Sequence, residues 1–184
     1  LPKARQGVER LQRVVEQLLV LARVDRHTAA APESVDLRSL LLDLAAELWP
    51  LADARGQQLR LEDVDPTTVK GNATELGIMI RNLLDNALRY TPDGGTIEAI
   101  LQAEPQGVRL SILDSGPGIP DTHMERVAER FHRASDATTT GSGLGLSIVL
   151  ALAHQQDVEV SLNNRESGGL NATLRWRQHA SAAR

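Results

Sequence analysis

Cysteine is absent from the chain's 184 residues, which excludes disulfide staples, thiolate metal sites and thiol nucleophiles together. Aromatic residues are nearly absent: Trp49, Tyr90, Phe131 and Trp176 are the only four. Any core must therefore be aliphatic. An excess of positive charge is also missing. Twenty Lys and Arg stand against 24 Asp and Glu, a net charge of −4, which argues against a nucleic-acid footprint. No apolar run is long enough to cross a bilayer; the richest, Leu144 to Ala153, is short and interrupted. There is no initiator Met and no signal-peptide pattern, and the chain opens in mid-pattern at Leu1-Pro2-Lys3, as expected of a piece of something longer. What is present is 41 % apolar, enough for one ordinary domain plus an appendage.

The appendage comes first. Val8, Leu11, Val15, Leu18 and Ala22 recur at steps of 3, 4, 3 and 4, a heptad seam on a helix over about 3–26. Its other face carries Arg5, Glu9, Arg10, Arg13, Glu16 and Arg23, so the helix wants a partner helix. Residues 28–35, with three alanines and Pro32, read as a linker. The main domain is expected over 36–178, with a tail at 179–184. Asp36 predicts an N-cap for a helix running to about Arg55, with Gly56 as stop and Pro50 as a kink or break. Short strands follow at 58–64 and 68–70, then a helix over 73–90 and a turn at Pro92-Asp93-Gly94-Gly95. Strand pairs are expected at 96–103 with 108–113, and at 158–163 with 171–177 around Gly168-Gly169. A helical pattern marks 124–131, and a helix entered from glycines marks 144–155. This order predicts an α+β fold, a two-layer sandwich with helices on one face of a mixed, mostly antiparallel sheet.

Three segments carry chemistry. On the 73–90 helix, Leu76, Ile80, Leu83 and Ala87 form the apolar stripe, while Asn82 and Asn86 stack one turn apart. Neutral amide oxygens suit a hard cation such as Mg²⁺ that also holds phosphates; a solvated polar face is the plainer reading of the pair alone. The second segment is Asp114-Ser115-Gly116-Pro117-Gly118-Ile119-Pro120, directly after an apolar strand. An ionised carboxylate there only accepts hydrogen bonds, which suits the adenine amine and repels the guanine carbonyl. Alone it is also an ordinary turn. The third is Gly141-Ser142-Gly143-Leu144-Gly145-Leu146, where glycines and a helix N-terminus let backbone N–H groups approach phosphate oxygens. It lacks the Lys-Ser/Thr of a P-loop.

In order and spacing together, these segments resemble the ATP-binding catalytic domain of bacterial sensor histidine kinases, in the gyrase/Hsp90/MutL-like ATPase superfamily with its Bergerat-type fold. Residues 82–90 resemble the N box, 114–118 the G1 box, Glu129-Arg130-Phe131-His132-Arg133 the F box and 141–146 the G2 box. Residues 1–27, with Glu16-Gln17-Leu18-Leu19-Val20-Leu21-Ala22-Arg23, resemble the second helix of the dimerisation and histidine-phosphotransfer hairpin. The style is that of kinases paired with OmpR-like response regulators.

The resemblance implies roles residue by residue. Asn86 would hold Mg²⁺, and Asn82 would make a second contact to metal or phosphates. Arg89 would face the phosphates, and Tyr90 would border the adenine. Asp114 would receive the adenine amine, with Gly116, Gly118 and Ile119 lining the base. Gly141, Ser142, Gly143, Leu144, Gly145 and Leu146 would cradle the phosphates and hinge a lid, and Thr173 would complete the nucleotide contacts. Arg130 and Arg133 would reach the γ-phosphate from that lid, against an even alternative of arginines on a solvated helix. Phe131 would anchor the lid. ATP-hydrolysing cousins carry a glutamate where Asn82 stands, so water attack should be slow and the γ-phosphoryl kept for a histidine. The phosphoacceptor motif, His then Asp/Glu and soon Pro, does not occur; His27, His123, His132, His154 and His179 sit in other contexts. The implied parent is a homodimeric inner-membrane sensor whose cytoplasmic portion includes this chain, relaying phosphate to a response-regulator aspartate. Two other readings are a serine kinase of the anti-sigma type and a nucleotide-sensing module that transfers nothing.

Overall fold

The computed structural model describes residues 32–124 and 144–177. The expected heptad helix, the first half of the linker, the F-box segment, residues 141–143 and the tail lie outside the described residues.

Strand β1 (Glu33–Asp36) pairs antiparallel with β3 (Thr68–Gly71), Val35 opposite Val69, in a small two-stranded sheet. The linker reading of 33–35 is thereby corrected. Only Val35 of those four residues is buried, so no alternation announces the strand. Helix α1 (Leu37–Asp53) starts where Asp36 predicts: its carboxylate accepts the Ser39 N–H at 3.1 Å and the Ser39 hydroxyl at 2.8 Å. Leu37, Leu41, Leu44, Ala45, Leu48 and Ala52 form the buried stripe. Pro50 breaks nothing, because it stands one turn from the end and its missing N–H costs a single bond. The chain leaves α1 through Gly56 at φ +61°, with the Gln57 N–H returning to the Ala52 carbonyl at 2.9 Å.

Strand β2 (Gln58–Glu62) stops two residues early, at Asp63, whose φ of +44° turns the chain out of the sheet. Helix α2 (Ala73–Tyr90) is capped by Asn72, which accepts the Glu75 N–H at 3.1 Å. Its buried residues include the whole expected stripe, Leu76, Ile80, Leu83 and Ala87. Strands β4 (Thr96–Glu104) and β5 (Gly107–Asp114) form a hairpin, as do β6 (Val158–Asn164) and β7 (Leu170–Arg177). Between the two hairpins lie a one-turn helix α3 (Asp121–Met124) and α4 (Gly145–Gln155).

The main sheet runs β2-β4-β5-β7-β6, and only β2 and β4 are parallel. Helices α1, α2 and α4 pack against it, with α2 in contact with both of the others. Between the layers lie Leu41, Leu48, Ile80, Leu84, Ile97, Leu101, Leu110, Ile112, Ile148, Leu152 and Leu174, all nearly inaccessible. Trp176 is the one aromatic among the described buried apolar residues, so the core is aliphatic as composition demands. Helices α2 and α4 lock at the far end from the glycines. There the Gln156 Oε1, just past α4, accepts the Asn72 N–H at 2.9 Å, and its amide nitrogen donates to Glu75.

Candidate functional site

Helix α2 organises the site along its second half. Asn82 and Asn86 share the face turned toward the start of α4. The Asn82 Nδ2 donates to the Ile78 carbonyl one turn back at 2.8 Å, which directs Oδ1 away from its own helix. That oxygen lies 3.1 Å from where a Cβ on Gly145 would sit, and the Asn86 amide atoms lie 3.5 and 3.6 Å from the same point. The N-cap of α4 is Leu144, whose apolar side chain makes no cap hydrogen bond, and the first residue of the helix, Gly145, lies beside the two amides. Two amide oxygens beside a helix N-terminus make a neutral but strongly dipolar cradle for a cation and the phosphates it carries. Among the described residues no group of three or more His, Asp or Glu stands at metal-holding distance.

The other end of α2 meets the loop after β5. Gly116 stands against the last helical carbonyl: a Cβ there would lie 2.7 Å from the Tyr90 oxygen and 2.9 Å from the Asp114 Oδ1. Tyr90 and Arg89 are half-buried in this last turn. Asp114 ends β5 and is buried, 6 % exposed. Its Oδ1 accepts the Gly116 N–H at 2.8 Å and the Leu170 N–H at 3.2 Å, while Oδ2 takes no hydrogen bond among the described residues. Burial pushes the carboxyl above its ordinary value; the two N–H bonds and the nearby Arg165 charge pull the other way without prevailing. The result is a fixed, desolvated acceptor at a strand end.

Several contributors carry no motif and escaped the sequence reading. Asn164, at the end of β6, closes two bonds on Ile119: its Oδ1 accepts the N–H at 2.9 Å and its Nδ2 donates to the carbonyl at 2.7 Å. Arg165 donates to the Asp114 carbonyl at 2.8 Å. Gly169, at φ +95°, lets the hairpin pass so close that a Cβ would lie 1.8 Å from that carbonyl oxygen. The Gly168-Gly169 pair was legible as a turn, not as a contact. Arg55 and Gln57 together cap the C-terminus of α2. Gln57 donates to the carbonyls of Leu88 at 3.0 Å and Thr91 at 2.7 Å. Arg55 also reaches both, and pairs with Asp93 at 2.8 Å.

Thr173 requires correction. Its neighbour across the ladder is Ser111, three residues from Asp114, and an odd step along a strand places side chains on opposite faces. Thr173 therefore points to the face away from α1, α2 and α4, where its hydroxyl lies 3.3 Å from Ser111 Oγ and donates to Asn171 Oδ1 at 3.2 Å. Ile119 and Gly118 lie in the loop with Asp114, and Gly118 has a φ of +72°. Leu144 and Gly145 stand at the start of α4, with Leu146 packed partly on the core. Arg130, Phe131, Arg133, Gly141, Ser142 and Gly143 lie outside the described residues.

Against this geometry stand the comparisons with known proteins. A family model described as "Histidine kinase-, DNA gyrase B-, and HSP90-like ATPase" matches residues 71–180. The sensor protein QseC of Escherichia coli K12 is 35 % identical over 173 residues, 92 % of this chain and 37 % of that protein. Among solved structures, the cytoplasmic segment of histidine kinase QseC is 28 % identical with a TM-score of 0.65, covering 94 % of this chain and 96 % of that one. Full-length ShkA in complex with AMPPNP is 26 % identical with a TM-score of 0.77, covering 96 % and 38 %. The chain thus spans a little over a third of the length of the curated relatives it matches.

Proposed function

The chain belongs to the histidine kinase-, DNA gyrase B- and HSP90-like ATPase family, as the ATP-binding domain of a sensor histidine kinase, and from that premise we propose how its own residues bind Mg·ATP and present the γ-phosphoryl to a histidine. The observation that carries the reading is that one helix holds both ends of the site. Asn82 and Asn86 meet Gly145 at the N-terminus of α4, and one turn further on the Tyr90 carbonyl meets Gly116 beside Asp114.

Asp114 accepts the adenine amine on Oδ2, its Oδ1 being occupied by Gly116 and Leu170. Guanine presents a carbonyl at the same place and is rejected by two facing acceptors. Tyr90 borders the base, and Arg89 faces the phosphates. The first-turn N–H groups of α4 and the G2-box glycines receive phosphate oxygens. Asn86 would hold Mg²⁺ through its amide oxygen, and Asn82, whose nitrogen donates to the Ile78 carbonyl, would present the same kind of atom. A cation held there would supply charge neutralisation at the phosphates.

Asn82 also decides what the site does not do. An amide takes no proton near neutral pH, so nothing at this position activates water. The γ-phosphoryl is kept for a nitrogen nucleophile. The histidine lone pair attacks phosphorus, the bond to the β–γ bridging oxygen breaks, and ADP departs with the electron pair. Catalysis is then positioning and charge neutralisation, with the Arg130 and Arg133 charges, outside the described residues, assisting at the γ-phosphate. The acceptor histidine belongs to the phosphotransfer hairpin of a dimeric parent, a membrane sensor whose cytoplasmic side holds this domain. An OmpR-like regulator receives the phosphate on an aspartate. No helix among the described residues is long and apolar enough to cross a membrane.

Trans-phosphorylation tests the proposal. The chain, mixed with a supplied histidine-phosphotransfer hairpin and γ-labelled ATP, should place acid-labile label on histidine. Label on serine of an anti-sigma partner would favour the serine kinase, and binding without transfer would favour a nucleotide-sensing module.

A further inference from the structure

We propose that Asn164 and Arg165, on the β6–β7 hairpin, are the positioning residues that give the site its purine selectivity, by clamping both ends of the loop that carries Asp114. The inference rests on the reading of Asp114 as the adenine acceptor.

The loop has no secondary structure of its own between the end of β5 and α3; Pro117 and Pro120 fix φ at two positions, while Gly116 and Gly118 leave the backbone free to pivot between Asp114 and Ile119. A loose backbone is a poor foundation for discrimination between two purines, which turns on one acceptor held against one amine. Ser115 is tied to Thr96 on β4, donating its N–H to the carbonyl at 3.0 Å and accepting the Thr96 N–H on its hydroxyl at 2.8 Å, and the hairpin holds the residues on either side of it. At the far end, the Asn164 side chain mimics a neighbouring strand, meeting the Ile119 N–H at 2.9 Å and its carbonyl at 2.7 Å. At the near end, Arg165 holds the Asp114 carbonyl at 2.8 Å while the Leu170 N–H holds the carboxylate itself at 3.2 Å.

The hairpin is closed on itself behind these contacts. The Arg165 N–H bonds to the Gly169 carbonyl at 2.9 Å, and the Gly168 N–H returns to Arg165 at 3.0 Å. Two fit constraints keep the parts in register. A Cβ on Gly118 would lie 2.6 Å from Asn164 Oδ1, and one on Gly169 would lie 1.8 Å from the Asp114 carbonyl oxygen. Asn164 is exposed, so its two bonds to one residue are not needed to satisfy a buried amide. Their consequence is the placement of the loop.

The test uses the full 184-residue chain and compares Mg·ATP, Mg·GTP and Mg·tripolyphosphate by calorimetry. Asn164→Asp keeps the acceptor but turns the donor into a second acceptor facing the Ile119 carbonyl; Arg165→Met keeps the bulk and removes the donor. Each should weaken ATP about threefold to tenfold, the worth of a hydrogen bond. GTP and tripolyphosphate binding should not change, so the ATP-to-GTP ratio falls. Arg165→Lys, which restores a donor, should recover part of the ratio. General destabilisation would instead lower all three ligands together, and that result, or an unchanged ratio, overturns the inference. Asp114→Asn run alongside separates the two levels. If it leaves the ratio intact, the reading of Asp114 fails; if it abolishes the ratio while the hairpin variants do not, only the clamp fails.

Discussion

Gly116→Ala is the smallest change that separates the two ends of the nucleotide site. Gly116 is not among the glycines at positive φ, so the substitution tests contact alone. The added carbon would stand 2.7 Å from the Tyr90 carbonyl oxygen and 2.9 Å from the Asp114 Oδ1. Carbon ordinarily meets such oxygens at roughly 3.3 Å or more, so something must retreat by roughly 0.6 Å. Neither neighbour yields cheaply. The Tyr90 carbonyl ends a helix whose last turn is pinned by Arg55 and Gln57, and the Asp114 oxygen is held by two N–H donors. Overpacking of this kind costs about 1–3 kcal/mol, which at about 2 kcal/mol lowers the melting temperature by roughly 4–8 °C for a domain of this size. The displaced carboxylate loses a charged hydrogen bond to adenine, about 1.5–3 kcal/mol, so ATP affinity should fall at least about tenfold. Calorimetry and thermal melting on one sample read both. The comparison is Gly94→Ala, strained at φ +77° with nothing within 4 Å, which should lose stability and keep ATP affinity. ATP affinity within about twofold of the unaltered chain in Gly116→Ala would refute the reasoning.

Three further predictions follow from the same geometry. Because burial raises the Asp114 carboxyl, the empty folded domain binds more protons than the unfolded chain from the ordinary value of 3.8 up to the raised one; its stability contribution therefore declines as pH rises through that window. Asp114→Asn, which keeps an acceptor for Gly116 and Leu170, should flatten that slope in melting curves and leave the neutral-pH stability equal or higher, while ATP binding is lost. Asn86→Ala should remove the Mg²⁺-dependent part of ATP affinity with little effect on melting, since the Asn86 amide is half-buried beside Gly145. Arg55→Ala and Gln57→Ala should each cost about 1 kcal/mol in denaturant unfolding. The double variant should exceed their sum by about 1 kcal/mol, because either residue alone satisfies the Leu88 and Thr91 carbonyls.

What was legible in the sequence had either a period or a cap. The stripe of α2 and its start at Ala73, the Asp36 cap of α1, and both hairpins stand within a residue or two of expectation. What was illegible depended on partners distant in the chain. Strand β1 has one buried side chain and exists because β3 pairs with it. Pro50 looked like a break because its tolerance depends on distance from a helix end set by Gly56. Thr173 resembled a ligand by position along the chain, and strand parity alone, fixed by its pairing with Ser111, turns it away from Asp114. Asn164 and Arg165 sit 45 and 51 residues from the groups they bond, a separation no local motif announces.

Titrating the chain with ATP and with GTP, each with and without Mg²⁺, tests the central claim most directly. ATP should bind at least about tenfold more tightly than GTP, and Mg²⁺ should strengthen ATP in the native chain but not in Asn86→Ala. Equal affinities for the two purines, or Mg²⁺ dependence that survives without Asn86, would contradict the account.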